Sequence, residues 1–296
     1  MLNRIEFINQ FASGIHLLDG ATGTELRKAG MPQNCCAEQW ILENPQSILS
    51  LQKKYADAGS EIIYAPTFLA QPLALQKWNL SANTEKINQE LIALSRRAAP
   101  NCLIAGNMTT MQGFVNAHQT DYKNQIKSAY QIQMQALISG GSDVLVAETI
   151  MNSTEATILL ELAQELNAPA IMISFTCMNC ERLYSGELIL DALRISEEKG
   201  AAAIGINCVT VSDELPKLVR TLYNHTSLPI ICKPNAGIPI NGEYPVDKLL
   251  FSSIMLDCIR NGAKLIGGCC GTTPSYIETL KKLLKTNNIE HRTENE

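Results

Sequence analysis

Short runs of apolar, largely β-branched residues alternate with longer amphipathic stretches along this chain. The short runs cover residues 15–19, 61–67, 103–107, 144–148, 170–176, 203–207, 229–234 and 264–268. They are apolar at nearly every position, the pattern of strands covered on both faces. Between them, 84–98, 122–139, 154–166, 188–199, 213–223, 246–260 and 275–284 carry apolar residues at helical spacing. Ser153 and Ser212 suit helix N-caps, and Gly59, Gly140, Gly200 and Gly262 stand where helices should stop. Eight strands, each followed by a helix and with no Pro/Ser-rich linker, predict a single α/β domain, a (β/α)8 TIM barrel over residues 1–286. A polar C-terminal tail, 287–296, follows it. An open doubly wound sheet is the competing arrangement. The strand ends favour the barrel: Asp19, Thr67, Asn107, Glu148, Thr176, Asn207 with Cys208, Asn235, and Cys269 with Cys270 all fall there. In a barrel those ends converge on one mouth, where active sites of this fold lie.

Composition narrows the function classes. The chain has 296 residues, is 46% hydrophobic and 18% charged, and carries a net charge of −5. That balance argues against nucleic acid or an anionic membrane surface as a partner. No apolar run approaches the roughly 20 residues a membrane helix needs, and Glu6 interrupts the stretch where a signal peptide would be apolar. The expected location is the cytoplasm. There, ten cysteines spread over the chain read as reduced thiols or metal ligands, not as disulfides.

The chemistry concentrates in Gly267-Gly-Cys-Cys-Gly-Thr-Thr-Pro274, where Cys269 and Cys270 end a strand on a glycine-lined turn. Cys208 of Gly205-Ile-Asn-Cys ends another strand. Three thiolates without a matching histidine predict a soft, tetrahedral metal with one open place, a catalytic Zn2+. The competing readings are cysteines buried as small hydrophobes, a vicinal disulfide, an iron–sulfur cluster (which typically needs four thiolates), or a phosphate cradle. A phosphate loop has no need of two thiols. Zinc with three thiolates is electron-rich and better suited to holding a substrate thiolate than to activating water. That is the chemistry of thiol alkylation. Thr272 or Thr273 caps the last helix, with Pro274 in its first turn. Asp19-Gly20-Ala21 forms a small-residue turn whose backbone N–H groups suit a substrate carboxylate. Glu148 projects toward the mouth and suits an α-ammonium group, while Asn207 and Asn235 can orient ligands. Pro66-Thr67-Phe68 adds a contact near the mouth. Cys177-Met-Asn-Cys180 is a CxxC without a partner CxxC, and Cys35-Cys36 lies in a polar loop without flanking glycines. Both read as incidental.

The order Asp19-Gly-Ala-Thr-Gly-Thr-Glu, Val146-Ala-Glu-Thr, Gly205-Ile-Asn-Cys, Pro234-Asn-Ala-Gly, Gly267-Gly-Cys-Cys-Gly-Thr-Thr-Pro resembles the homocysteine S-methyltransferase family. That family includes betaine- and S-methylmethionine-dependent enzymes and the homocysteine-binding module of cobalamin-dependent methionine synthases. Residues Gly30-Met-Pro through Tyr64-Ala-Pro-Thr-Phe, and Gly242-Glu-Tyr, look most like the methionine synthase module. The resemblance implies a zinc-dependent barrel that methylates homocysteine to methionine, with Cys208, Cys269 and Cys270 as zinc ligands. It places the amino-acid end of the substrate near the Asp19 loop and Glu148. The implied methyl donor is a sulfonium such as S-methylmethionine, or methylcobalamin on a separate corrinoid protein. One departure lies on the donor side: Gly106-Asn-Met-Thr-Thr replaces the family's usual Gly-Asp/Ser-Ile/Leu-Gly-Pro turn. The rival reading is a non-catalytic homocysteine- or metal-binding subunit that works with a separate corrinoid protein.

Overall fold

Eight parallel strands form the barrel: β1 (His16–Leu17), β2 (Ile62–Tyr64), β3 (Leu103–Thr109), β4 (Val144–Ile150), β5 (Ile171–Phe175), β6 (Ala203–Thr210), β7 (Ile230–Asn235) and β8 (Ala263–Ile266). This is a computed structural model, and it describes residues 1–115, 120–179 and 181–288. The hydrogen-bonded order runs β1-β8-β7-β6-β5-β4-β3-β2. A parallel bridge from Leu18 to Ile62, with Glu61 N–H donating to the Leu17 carbonyl at 2.7 Å, brings β2 back to β1 and closes the ring. Helices fill the connections, so the expected barrel is the observed one. The call on the tail falls partly outside the described residues, which end at 288. No helix among the described residues is long and apolar enough to cross a membrane.

The continuous apolar runs have a direct cause. Successive side chains of a strand point to opposite faces, and here both faces are packed. Ile62, Ala105, Val146, Met172 and Ile231 fill the barrel interior. Ile63, Ile104, Leu145, Ile173 and Cys232 pack outward against the helices. The same alternation sets up the site. Two residues beyond each inward apolar residue stand Tyr64, Asn107, Glu148, Ser174 and Lys233, so they occupy the next inner layer toward the mouth.

The helices Gly23–Lys28, Ala37–Glu43, Pro45–Ala58 and Pro72–Gln76 were not anticipated, nor was one that precedes them. A helix at Arg4–Phe11 precedes β1, and its buried Phe7 and Phe11 join the interior cluster, plugging the barrel from the N-terminal side of the strands. Asn3 starts it with a capping box: its side chain accepts from Glu6 N–H, and the Glu6 carboxylate accepts from Asn3 N–H. The two phenylalanines are four residues apart, one helical turn, which is the signal that was available.

Several boundaries differ from expectation. β1 and β8 are shorter, because Gly267 N–H turns to the Cys232 carbonyl and Gly268 N–H to that of Asp19 as the chain peels toward the mouth. The N-cap of helix Ser153–Glu165 is Asn152, whose side chain accepts from Glu155 N–H, and not Ser153. Ser212 lies upstream of helix Leu215–Tyr223, which starts from Glu214. Gly140 keeps a helical backbone, and the left-handed turn falls on Gly141 (φ 84°).

Candidate active site

The floor of the site is a layer of charged and polar side chains above the apolar interior. Lys233 Nζ donates to Asp19 Oδ1 at 2.6 Å, a pair with both partners buried. Asp19 Oδ2 also accepts from Tyr64 N–H at 2.8 Å. The Lys233 ammonium lies 3.6 Å from the centroid of the Tyr64 ring, a cation–π contact between two buried side chains. Glu148 accepts from Asn107 Nδ2 at 2.7 Å and from Asn207 Nδ2 at 3.3 Å. Burial pushes the Asp19 and Glu148 carboxyls above their ordinary values, against the pull of Lys233. Burial alone would lower the Lys233 ammonium, but Asp19 and Glu148 outweigh it and hold it above the ordinary value. Asn107 Oδ1 and Tyr64 Oη are buried without a hydrogen-bond partner in the protein, a costly state.

The rim is built from sulfur. The Sγ atoms of Cys208, Cys269 and Cys270 lie within 4.8 Å of one another, the one such convergence of potential metal ligands among the described residues. Two local distortions aim the chain. Strand register shifts occur between Ala147 and Ile150 and between Asn207 and Thr210, and within them Thr149 (φ 60°) and Cys208 (φ 56°) adopt left-handed backbone. Such strain in residues with a Cβ persists only where the surroundings enforce it, and it clusters at functional sites. Backbone bonds hold the vicinal pair: Cys269 N–H to the Pro234 carbonyl at 2.8 Å, and Cys270 N–H to Asn235 Oδ1 at 3.0 Å. Asn235 Nδ2 donates in turn to the Cys208 carbonyl at 3.1 Å, tying both cysteine segments to one side chain. Gly268 allows the approach of Thr272, whose Oγ1 would lie 2.3 Å from an added Cβ.

The three thiols share charge unequally. Hydrogen bonds from Cys208 and Cys269, with another from the Tyr244 hydroxyl, hold Cys270 far below an ordinary thiol. Hydrogen bonding to its two neighbours, then burial, pushes Cys269 up. A donor set of three sulfurs, with no carboxylate or imidazole among them, fits a soft divalent ion such as zinc.

Rim and floor open into one cavity of about 280 Å³, lined among others by Asp19, Gly20, Ala21, Glu148, Lys233 and the three cysteines. Leu26, Met31, Ile41 and Phe68 give it an apolar wall. The sequence candidates therefore meet, with some differences of role. Gly20 is needed where it stands, because an added Cβ would fall 2.7 Å from the Tyr55 hydroxyl. Ala21 N–H, one of the expected carboxylate donors, is engaged by Thr272 Oγ1 at 3.2 Å. Asn207 is fully buried behind the floor, its amide committed to Thr149, Ser174 and Glu148. It orients Glu148 from behind. Thr273 takes the N-cap position of the last helix without a side-chain cap bond.

Cys35 and Cys36 bond locally and are not among the converging sulfurs. Cys35 Sγ donates to the Pro32 carbonyl and Cys36 Sγ to Glu38. Cys177 starts a two-stranded ribbon, Cys177–Asn179 with Arg182–Leu183, and Cys180 lies outside the described residues. Sequence reasoning missed Lys233, Tyr64 and Tyr244. The available signal for Lys233 was a cation inside the apolar run Ile230-Ile-Cys-Lys-Pro.

Comparison with known proteins agrees with this architecture. Residues 16–284 match a family model described as homocysteine S-methyltransferase. Homocysteine S-methyltransferase of Escherichia coli (strain K12) is 26% identical, over 90% of this chain and 94% of that protein. Methionine synthase of Mycobacterium leprae (strain TN) is 25% identical over 92% of this chain, which spans only 24% of that protein's length. The crystal structure of the homocysteine methyltransferase MmuM from Escherichia coli in its metallated form matches with a TM-score of 0.80 at 26% identity. The match covers 95% of this chain and 100% of that one.

Proposed function

Because the chain belongs to the homocysteine S-methyltransferase family, we propose that it transfers a methyl group to homocysteine, forming methionine, with Zn2+ held by Cys208, Cys269 and Cys270. The observation that carries this reading is a single cavity with three converging sulfurs at its rim and a charged floor of Asp19, Glu148 and Lys233. A thiol amino acid fits such a cavity with its charged end down and its sulfur toward the rim. The three cysteines would hold the ion, which would then bind the substrate sulfur. Zinc, when bound there, keeps the substrate thiol ionised near neutral pH, where a free thiol of pKa about 8.5 is mostly protonated. Glu148 receives the α-ammonium, and the partnerless Asn107 Oδ1 beside it offers a second acceptor. The apolar wall keeps water from the reacting sulfur.

In the transfer, the homocysteine sulfur forms the new S–CH3 bond as the donor's bond to that methyl breaks, its electron pair staying with the donor. A thiol bound as thiolate at the three cysteines would release its proton to solvent beforehand, so the transfer itself would need no side chain as general base. Positioning and the ionised sulfur supply most of the acceleration. A sulfonium such as S-methylmethionine leaves as a neutral thioether. The likeness to methionine synthase favours a second donor, methylcobalamin on a separate corrinoid protein. A reducing, cytoplasmic setting keeps the three thiols available.

The test is a donor panel on the zinc-loaded protein, with methionine measured by mass spectrometry from homocysteine plus S-methylmethionine or methylcobalamin. Methionine formed with either donor supports the reading. Homocysteine binding without turnover on any donor would favour the non-catalytic subunit instead.

A further inference from the structure

We infer that Lys233 reads the carboxylate of the amino-acid substrate, with Asp19 acting as the counter-ion that holds the lysine in place. The inference rests on the homocysteine reading and adds to it a residue that the motifs left unassigned. Lys233 is buried, 2% exposed, yet it lines the cavity beside Glu148 and the rim cysteines. It is the one cationic side chain among the described residues that does so. Its position follows from the pleat: Ile231, two residues earlier on β7, fills the barrel interior, so Lys233 faces inward one layer higher. An ammonium group carries three donors. Asp19 Oδ1 takes one and the Tyr64 ring covers one side, while the cavity side has no acceptor bonded to it among the described residues.

The charge balance of the cavity supports the same assignment. Asp19 and Glu148 bring two carboxylates to the floor, and an incoming thiol amino acid adds a third. A carboxylate leaving water for a dry site is strongly disfavoured unless a cation or several donors meet it. Ala21 N–H, a donor expected from the turn sequence, already serves Thr272. Asp19 is equally committed, to Lys233 and to Tyr64 N–H. Of the charged groups that line the cavity, Glu148 is then left for the α-ammonium and Lys233 for the carboxylate. The floor presents a carboxylate and an ammonium in one cavity, the complement of a zwitterion.

The experiment is calorimetric binding to the zinc-loaded protein, with three thiols of similar length: L-homocysteine, 3-mercaptopropylamine, which lacks the carboxylate, and 4-mercaptobutyrate, which lacks the amine. On the wild-type protein, loss of the carboxylate is expected to weaken binding by about 10- to 100-fold, the range for a hydrogen bond to a charged group. In Lys233→Met, homocysteine and 3-mercaptopropylamine should bind within a few-fold of each other, with zinc content unchanged. Lys233→Met leaves Asp19 buried and unpaired, so Lys233→Met combined with Asp19→Asn serves as the second variant and should give the same equality. If the variants discriminate against 3-mercaptopropylamine as strongly as the wild type does, Lys233 does not read the carboxylate. If homocysteine binds the wild-type protein and the carboxylate proves irrelevant, the inference fails while the homocysteine reading stands. If homocysteine does not bind the zinc-loaded protein, the homocysteine reading itself fails.

Discussion

The rim and the floor of the cavity are assembled by opposite means. At the rim, the backbone of the cysteine segment is what is held, by the Pro234 and Ala236 backbone and the Asn235 side chain, and the three cysteines stay partly exposed. On the floor, side chains fix one another, through Lys233 with Asp19, Asn107 with Glu148, and Asn207 behind them. A rim sulfur can therefore be changed without disturbing the fold, whereas neither partner of the buried Lys233–Asp19 pair on the floor can. Rim substitutions should register as lost metal and lost chemistry. Floor substitutions should register as lost stability, altered affinity, or both.

The largest expected effect lies at the rim. Cys269→Ser should lose its zinc and slow methionine formation by about 10³-fold or more, because the metal contributes several kcal/mol of charge stabilisation. Its melting temperature in the metal-free state should match that of metal-free wild type. A normal zinc content by atomic absorption would remove Cys269 from the ligand set. The contrast sharpens with Asp19→Ala on the floor. Leaving Lys233 buried without its partner should cost about 3–5 kcal/mol in denaturant unfolding, and a loss below 1 kcal/mol would mean that the floor is not interlocked as described.

Glu148→Gln is the smallest and most selective of the three. Zinc should stay bound while homocysteine affinity falls by about tenfold, the value of one charge-assisted hydrogen bond. The pH dependence carries a sign. Burial raises the Glu148 pKa, and an ammonium ligand needs the ionised form. Homocysteine affinity should be full above that raised value and decline as the pH falls through it, at a higher pH than an ordinary carboxylate would produce. Gln should flatten this decline. Stability runs the other way: a raised pKa favours the folded state only while the group is protonated, and this benefit is lost as pH rises through the folded value. At neutral pH the variant should therefore melt no lower than the wild type, and a clearly lower melting temperature would assign Glu148 a structural role.

Two vicinal cysteine pairs show how much of the site was legible in sequence. Cys269-Cys270 sits between glycines at a strand end, and Cys35-Cys36 in a polar loop without them. That difference in neighbours separated the pair that converges with Cys208 from the pair whose sulfurs bond locally to Pro32 and Glu38. Glu148 and the Asp19 turn were legible for the same reason, a polar residue at the end of an apolar run. Lys233 was not, because a lysine after Ile-Ile-Cys looks like the exposed end of a strand until its inward direction is known. Asn207 pairs in register with Lys233, but its amide is spent on Thr149, Ser174 and Glu148 and it is not among the residues that line the cavity. The helix plugging the barrel was overlooked as well, since two phenylalanines in a polar segment do not show what they bury against.

The linear order of residues by itself determined the eight-fold repeat, the mouth at which its polar ends gather, and the sulfur set, because these depend on local spacing and on the two-residue period of a strand. Only the tertiary structure decided which of those polar groups face the ligand and which face each other. Closure of the barrel brings Asp19 to Lys233 across 214 residues of chain, and once the two charges meet in a dry interior, their pairing sets what the rest of the cavity can accept.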